Sequence, residues 1–377
     1  MKLELIATAT FGLEAVVKRE VQDLGYKILK TEDGKVTYLG DERAIAKSNL
    51  WLRSADRVLL KMTEFKAMEF EELFQQTKAV EWEQLIPVDG KFTVNCTSVK
   101  SKLHSVPACQ SIVKKAIVEK LKEFYNIDEF EETGANYTVK ATFLKDRVTI
   151  TVDTSGMGLH KRGYRISDVA APIKETLAAA MVQLSFWKSG RILVDPCCGS
   201  GTIPIEAAMI GRNIAPGLNR KFASEEWEFI GKDIWKEERK SAFEKIDYDR
   251  QLEIYGYDIN KRAVGAAVNN AEEAGVEDCI QFSVMDAENL EPVGQNGIII
   301  TNPPYGERIG EREDIEKIYR SFSRFFEANP DWSLFMITTD KEAEQKIMKR
   351  EANRRRKLYN GRLEVCYYQF HGTKVAT

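Results

Sequence analysis

The chain has 377 residues, 43% of them hydrophobic and 30% charged, with a formal net charge of −3 at pH 7. This length exceeds what one hydrophobic core usually contains, so we expect two or three domains, and the small net charge does not itself indicate a nucleic-acid partner. The six cysteines form no Cys-x-x-Cys pair and only three histidines occur, which disfavours a zinc site. Because no secretion signal or bilayer-spanning apolar run is found, the sequence favours a reducing, cytoplasmic setting without a membrane.

Short strand and helix patterns fill the first 64 residues. The segment Leu3–Ala9 has a strand pattern, residues 13–25 have helical spacing that stops at Gly25, and a hairpin is predicted to turn at Asp33-Gly34. We therefore predict a small α+β unit over residues 1–64.

A second α+β unit is predicted over residues 65–156. It contains a helix near 70–77, a strand at 91–99, a long helix at 106–125 and a strand pair after residue 136. Between residues 91 and 122 one acid, Glu119, faces seven lysines: Lys91, Lys100, Lys102, Lys114, Lys115, Lys120 and Lys122. This basic segment is either a phosphate-binding surface or a solvated helix face, and its composition fits both.

Strands and helices alternate in the last part of the chain, after a linker at 157–172. Over residues 173–377 this alternation predicts a parallel sheet covered by helices, with strands ending near residues 196, 258, 286, 304, 338 and 370. A polar insert at about 212–250 separates the first helix of this domain from its second strand.

Three of these strands end in residues that suit an adenosine. The first runs into DPCCGSGT, residues 195–202, where Gly199 and Gly201 allow backbone amides to approach a ligand. Its spacing matches neither the dinucleotide fingerprint nor the P-loop. Asp258 ends the second strand, placed to bind ribose hydroxyls, and Asp286 ends the third, placed to accept from an adenine amino group. Each aspartate alone would more often be a helix N-cap; their order after a glycine-rich turn predicts a cofactor pocket.

The fourth strand delivers Asn302, Pro303, Pro304 and Tyr305. In isolation this segment fits a turn that follows a buried strand. Together with the glycine-rich turn and the two acids, it resembles the class I S-adenosylmethionine-dependent methyltransferases that act on amino groups, over roughly residues 160–370.

The whole chain, including SGMGLHKRGYR, APIKETLAAA and RRRKLYNGRLEV, resembles the bacterial THUMP-domain RNA methyltransferases. The resemblance is greatest to 23S rRNA guanine-N2 methyltransferases. It implies a Rossmann-like methyltransferase domain at 173–377 behind a ferredoxin-like unit and a THUMP RNA-binding domain. It also implies S-adenosyl-L-methionine as cofactor, no metal, and one departure: Cys197 stands where many relatives have an aromatic residue.

The resemblance also assigns site residues. We expect the cofactor to be bound by Asp195, Pro196, Cys197, Gly199, Ser200, Gly201, Thr202, Asp258, Ile259, Asp286 and Ala287. An exocyclic amino group is a weak nucleophile because its lone pair is delocalised into the ring. Asn302 and the Pro303 carbonyl offer two rigid acceptors for its hydrogens, and Tyr305 offers an exposed ring on which an extruded base can stack.

Clusters of cations are the candidates for binding RNA phosphates. The first is Lys100, Lys102, Lys114 and Lys115; the second is HKRGYR, with Lys161, Arg162 and Arg165; the third, Arg354 and Arg355, is expected to flank the approach of the RNA. The alternative for the second cluster is a structural brace paired with acids, and for the third an exposed helix end.

The sequence therefore predicts methylation of an exocyclic base amine in RNA, with guanine N2 of 23S rRNA favoured by the resemblance. Adenine N6 in DNA or RNA suits the same acceptors, although no separate DNA-recognition domain is evident. A non-catalytic RNA-binding assembly factor is the third alternative, which the complete set of Asp258, Asp286 and Asn302 disfavours. The methylated nucleotide and the oligomeric state are not predicted.

Overall fold

The computed structural model describes residues 2–167, 172–305 and 309–373, with side chains from residue 313 onward in the helix that begins at Ile309. Part of the predicted linker (168–171) and the stretch after Tyr305 (306–308) lie outside these residues. The chain divides into two compact units. Unit 1 comprises Met1–Thr8, Lys18–Leu159 and Lys221–Ser241, and unit 2 comprises Ala9–Val17, His160–Arg220 and Ala242–Thr377.

The elements up to residue 153 are, in chain order, β1 (Leu3–Ala9), α1 (Glu14–Asp23), β2 (Lys27–Glu32), β3 (Lys35–Gly40), α2 (Glu42–Trp51), β4 (Ala55–Lys66), α3 (Phe70–Lys78), β5 (Lys91–Val99), α4 (Val106–Tyr125), β6 (Asn136–Leu144) and β7 (Arg147–Asp153). The later elements are α5 (Glu175–Leu184), β8 (Leu193–Asp195), α6 (Thr202–Gly211), α7 (Lys232–Glu244), β9 (Ile254–Asp258), α8 (Lys261–Ala274), β10 (Ile280–Val284), β11 (Ile298–Thr301), α9 (Ile309–Ala328), β12 (Ser333–Thr338), α10 (Ala343–Ile347), β13 (Arg354–Asn360) and β14 (Leu363–Phe370).

One mixed sheet runs through unit 1, in the order β2-β3-β1-β4-β7-β6-β5. The predicted strands β1 and β5 and the predicted helix α4 have the bounds read from the sequence, and Gly34 takes a positive φ of 75° in the β2–β3 hairpin. The boundary predicted between residues 64 and 65 falls inside β4. β4 lies between β1 and β7 and joins the strands of the two predicted α+β units into one sheet. Without this pairing, each unit would have an additional unpaired strand edge.

Part of the polar insert belongs to unit 1. Its Trp227 ring stacks on Tyr137 with ring centroids 4.9 Å apart, and the Trp227 indole N–H donates to the Asn136 carbonyl at 3.0 Å. The sequence reading assigned the insert no such contact. The Ser224 hydroxyl donates to the Thr154 carbonyl at 2.8 Å and Arg43 pairs with Glu238 at 2.7 Å, so this polar segment is retained by one buried aromatic ring together with hydrogen bonds and an ion pair.

The sheet of unit 2 has the order β10-β9-β8-β11-β12-β14-β13. β14 runs antiparallel to both β12 and β13, while the remaining neighbours are parallel. The predicted α/β class is confirmed, and the predicted parallel sheet comprises β10, β9, β8, β11 and β12; the antiparallel orientation of β14 and the existence of β13 were not predicted. The chain order reverses at β8, so a ligand crevice is expected beyond the carboxyl ends of β8 and β11.

The core of unit 2 explains why that edge of the sheet is rigid. Ile298, Ile299 and Ile300 of β11 are fully buried, and each contributes about 1.5–3 kcal/mol of hydrophobic stabilisation. Helices α5 and α6 are buried on nearly every residue. Within the described residues, no helix combines the length and apolar composition needed to cross a bilayer.

Candidate active site

A glycine-rich turn connects β8 to α6. Gly199 and Gly201 have positive φ values of 54° and 82°, and a Cβ at Gly201 would lie 2.9 Å from the Ala267 Cβ. The Cys198 amide donates to the Tyr257 carbonyl at 2.8 Å, which fixes the turn against β9. The turn thus follows the backbone path that only glycine takes without strain, and its N-cap residue, Gly201, has no side chain with which to cap the helix.

Asp195 lies behind this turn and not on its surface. The residue is 1% exposed, and its Oδ1 accepts from the Thr301 hydroxyl at 2.8 Å and from the Cys197 amide at 3.2 Å. Burial raises the pKa of the Asp195 carboxyl to about 7. A single carboxyl oxygen therefore connects the glycine-rich turn to the end of β11.

Other predicted cofactor residues of the turn are also buried. Pro196, Ser200 and Thr202 have little exposed surface, and the Thr202 hydroxyl accepts from Arg165 Nη2 at 3.0 Å. Cys197 is partly exposed, and burial raises the pKa of its thiol well above the usual range, so it is a poor nucleophile at neutral pH. The predicted cofactor contacts of Ser200 and Thr202 stay predictions.

The two predicted acids stand at neighbouring strand ends. Asp258 Oδ2 accepts from the Gly199 amide at 2.9 Å, and its Oδ1 accepts from the Asn260 amide at 2.8 Å. Asp286 Oδ1 accepts from the Glu288 amide at 2.9 Å, so it caps the 3₁₀ turn Ala287–Asn289. Both aspartates are partly exposed, and Ile259 beside Asp258 is 68% exposed. An exposed isoleucine at this point offers an apolar surface for a flat ring.

The predicted catalytic segment follows β11. Asn302 is partly exposed, Pro303 is buried and Pro304 is exposed. Tyr305 was expected to present an exposed ring; instead the ring is partly buried against the core of unit 2, and its hydroxyl donates to Asn302 Oδ1 at 2.6 Å. Burial raises the pKa of the Tyr305 hydroxyl to about 12, so it stays protonated as a donor.

The prediction that Arg162 and Arg165 contact RNA is wrong. Arg162 is 3% exposed, and its Nε lies 3.2 Å from Glu206 Oε1, which also accepts from the Tyr164 hydroxyl at 3.1 Å. Arg165 donates to Glu175 Oε1 at 2.9 Å and to Thr202. These arginines support α5 and α6 from below the glycine-rich turn. Lys161 is exposed, and its predicted RNA contact stays a prediction.

A lone acid in an otherwise apolar helix was the overlooked signal. Helix α6 reads TIPIEAAMIG, and its single charge, Glu206, has a fully buried side chain. Such an acid needs a cationic partner, and HKRGYR supplies it.

The expectation that Arg354 and Arg355 flank the approach of the RNA stays a prediction, and the strand register places both arginines far from Asn302. Arg354 begins β13 and pairs with Gln369, which pairs with Phe335 near the amino end of β12. Both arginines therefore lie at the opposite edge of the sheet from Asn302. Arg355 pairs with Glu344 at 2.7 Å. The predicted helix end is a strand.

Exposed lysines cluster at one tip of unit 1, which we define by Lys66, Lys100, Lys102 and Lys145. The Lys102 amide donates to Asp146 Oδ1 at 2.7 Å, the Lys145 amide to the Val99 carbonyl at 3.2 Å, and the Ala67 amide to the Asp146 carbonyl at 3.0 Å. These bonds bring the ends of β4 and β5 to the β6–β7 turn. The sequence reading missed Lys66 and Lys145, which only the strand pairing adds to the tip.

A cavity of about 390 Å³ opens beside this tip, lined by Met68, Glu69, Phe70, Lys102, Leu103, His104 and Ser105. Lys114 and Lys115 are exposed on α4 but point in different directions. The Lys114 ammonium lies 6.0 Å from the centre of the Phe92 ring, and that of Lys115 lies 5.6 Å from the Phe74 ring. They do not form one patch with each other, as expected for consecutive helix positions.

The geometry of unit 2 suits S-adenosylmethionine. A carboxylate beside a glycine-rich turn offers acceptors for a ribose, a second acid offers an acceptor for an adenine amino group, and Ile259 offers an apolar surface for the ring. Within the described residues, no cluster of three or more His, Cys, Asp or Glu side chains could bind a metal ion. The sheet order, the crevice at its reversal and Asn302 at the next strand end define a class I S-adenosylmethionine-dependent methyltransferase.

The comparisons with known proteins agree with this class. Residues 162–369 match the RMKL-like methyltransferase domain family, residues 67–153 the THUMP domain and residues 4–59 the RlmL ferredoxin-like domain. The chain belongs to the RMKL-like methyltransferase family and carries a THUMP domain. It uses S-adenosylmethionine as cofactor.

Individual relatives support the assignment along the whole chain. YpsC of Bacillus subtilis strain 168, which carries the name of an RNA methyltransferase, is 53% identical over 98% of this chain and 96% of its own length. The ribosomal RNA large subunit methyltransferase K/L of Psychromonas ingrahamii is 34% identical over 94% of this chain, which spans about half (48%) of that protein. A solved structure described as a methyltransferase complexed with SAH, SMU.472, is 44% identical with a TM-score of 0.94, covering 100% of this chain and 99% of that one.

Proposed function

We propose that this protein methylates the exocyclic amino group of a base in RNA, and that the base is a guanine of 23S ribosomal RNA, methylated at N2. The observation that supports this most is the Asn302 carboxamide. It is partly exposed at the carboxyl end of β11, and its neighbour Thr301 is hydrogen-bonded to Asp195 of the cofactor turn. The name of the ribosomal RNA relative supports large-subunit rRNA as the substrate, and the choice of guanine N2 rests on the family resemblance.

The chemistry required of the chain is to make an amine nucleophilic. The Asn302 oxygen accepts one N–H of the base and the Pro303 carbonyl accepts the other, which favours a pyramidal nitrogen with a localised lone pair. Pro303 and Pro304 have fixed φ values, so the two acceptors need little reorganisation. When bound, S-adenosylmethionine supplies an electrophilic methyl group. An amine inside a duplex could not reach Asn302, so the target base is single-stranded or flipped out.

Replacing Asp258 with Asn should weaken the binding of S-adenosylhomocysteine by about 10-fold to 100-fold. A hydrogen bond to a charged acceptor is worth about 1.5–3 kcal/mol, and the substituted carboxamide would keep the shape of the side chain while losing the charge. Isothermal titration calorimetry measures the change. An affinity equal to wild type would remove Asp258 from the ribose role.

RNA recognition is assigned to the tip of unit 1. Its four exposed lysines project from a backbone that Asp146 fixes in place, and the neighbouring cavity adds an exposed Phe70 ring on which an unpaired base can stack. Cations on a rigid support and an aromatic ring beside them suit an RNA strand with splayed bases.

The double variant Lys100→Glu/Lys102→Glu should bind rRNA fragments more weakly and with a flatter salt dependence. Each lost phosphate contact lowers the slope of log K against log salt by about 1. Fluorescence anisotropy over a salt series measures both quantities. The matched control is Lys27→Glu/Lys30→Glu on β2, which makes the same charge change at the opposite edge of the sheet. Equal effects of the two double variants would show a general charge effect and count against the tip.

The proposed reaction is tested by supplying the purified enzyme with S-adenosylmethionine and three substrates: 23S rRNA from a strain lacking this protein, 23S rRNA from its parent, and duplex DNA. We expect methylation of the first substrate alone, with N2-methylguanosine identified by mass mapping. N6-methyladenine in either nucleic acid would replace the guanine assignment. No transfer to any substrate would favour a binding protein without catalysis.

A further inference from the structure

The Asn302 oxygen has a resident partner. The Tyr305 hydroxyl donates to Asn302 Oδ1 at 2.6 Å, in a partly buried position against the core of unit 2. An amide oxygen has two lone pairs, so this bond leaves one for an incoming N–H. It also determines which way the carboxamide faces. Rotation about its last torsion would exchange the oxygen for an NH₂ group, which cannot accept from a base amine.

The Tyr305 hydroxyl is itself contacted by Asn360, at the end of β13. Asn360 pairs with Leu363 across a two-residue turn in which Gly361 takes a positive φ of 64°, as tight hairpin turns require. In the pairing of β12 with β14, Thr338, the last residue of β12, lies opposite Cys366. Asn360 lies opposite Leu363, which precedes Cys366 on β14, so Asn360 lies beyond the carboxyl end of β12. Asn302 lies at this same edge of the sheet.

The direction of this second bond follows from the first. The single hydrogen of the Tyr305 hydroxyl is donated to Asn302, so the phenolic oxygen accepts from the Asn360 amide group. This bond lowers the pKa of Tyr305 and opposes the effect of burial. The donors then run in one direction, from Asn360 Nδ2 to Tyr305 Oη and from Tyr305 Oη to Asn302 Oδ1.

We propose that Tyr305 and Asn360 are positioning residues for the methylation reaction, which hold the Asn302 carboxamide with its free lone pair toward the base. The proposal rests on the proposed function, because it assigns Asn302 the role of acceptor. It gives the hydroxyl of Tyr305 a task separate from any stacking of its ring, and it makes the β13–β14 turn part of the active site.

The test compares kcat and KM for rRNA of Tyr305→Phe, Asn360→Ala and Asn360→Asp. Tyr305→Phe keeps the ring and removes the donor, so we expect kcat to fall about tenfold with KM within about twofold of wild type, as the loss of one hydrogen bond predicts. Asn360→Asp should lower kcat more than Asn360→Ala, because its carboxylate takes the Tyr305 proton away from Asn302. In Tyr305→Phe, where that proton is absent, adding Asn360→Asp should have no further effect.

Tyr359→Phe is the matched control. Tyr359 is the neighbour of Asn360 in the chain, and its hydroxyl contacts Glu364 and not Asn302. We expect wild-type kinetics for this variant. Calorimetry with S-adenosylhomocysteine should show unchanged affinity in all variants. A wild-type kcat for Tyr305→Phe, or a loss confined to KM, overturns the proposal. Asn302→Ala in the same assay separates the two proposals. If Asn302→Ala is inactive while Tyr305→Phe has a wild-type kcat, the positioning role fails and the proposed function stands. If Asn302→Ala is active, both the positioning role and the proposed function are refuted.

Discussion

Asn302→Ala should lower turnover by at least about 100-fold while leaving the affinity for S-adenosylhomocysteine within about threefold of wild type. The expected loss is the size found when one preorganised group that stabilises a transition state is removed. The affinity should persist because Asp258, Asp286 and the glycine-rich turn stand on other strands, β8 to β10, and none is hydrogen-bonded to the Asn302 side chain. Single-turnover methylation and calorimetry on the same preparation measure both quantities.

A graded variant sharpens this test. Asn302→Asp keeps an acceptor oxygen at the same reach, so its turnover should fall between those of wild type and Asn302→Ala. Asp258→Asn serves as the reciprocal control, since it should weaken cofactor affinity. If Asn302→Ala bound the cofactor poorly and Asn302→Asp were no better, Asn302 would belong to the cofactor pocket and the acceptor role would be lost.

Local patterns predicted the positions of the cofactor turn and of Asn302 because both depend on neighbouring residues in the chain. Glycines at 199 and 201 specify a turn with positive φ, and the isoleucines of β11 specify a buried strand that stops at Pro303. An element of this kind carries its own signal, and its place in a parallel sheet follows from the strand–helix alternation.

The errors arose where the partner is distant in sequence. Strand β13 has the residues RRRKLYN, with little apolar alternation, because it is an edge strand whose backbone pairs only with β14. The burial of Arg162 could not be predicted from its neighbours in the chain, because the acid that pairs with it, Glu206, lies 44 positions away. The prediction of an exposed Tyr305 ring was wrong because nothing near it in the sequence indicates its packing against the core of unit 2.

The Arg162–Glu206 pair leads to a large expected effect on stability. Glu206→Ala should destabilise unit 2 by about 3–5 kcal/mol, because it leaves the Arg162 guanidinium buried without its counter-charge. The loss should appear as a lower midpoint of thermal unfolding, by roughly 2–4 °C for each kcal/mol. Arg162→Met/Glu206→Leu, which removes both charges and fills the space with apolar atoms, should recover most of the loss.

The same variants separate a structural arginine from an RNA-binding one. Arg162→Met should lower the midpoint of unfolding and leave the salt dependence of RNA binding by the folded protein unchanged, because its guanidinium does not reach solvent. Arg354→Met, an exposed arginine of the same unit, should leave the midpoint within about 2 °C of wild type, as surface substitutions usually change stability by less than about 0.5 kcal/mol. If Arg162→Met kept the wild-type midpoint but flattened the salt slope, Arg162 would contact phosphate and the buried pair would be wrong. The two measurements report different properties of an arginine. The salt dependence of RNA binding reflects counterions released by cations that reach phosphates from the protein surface. The midpoint of unfolding reflects the cost of a charge that is buried without a counter-charge.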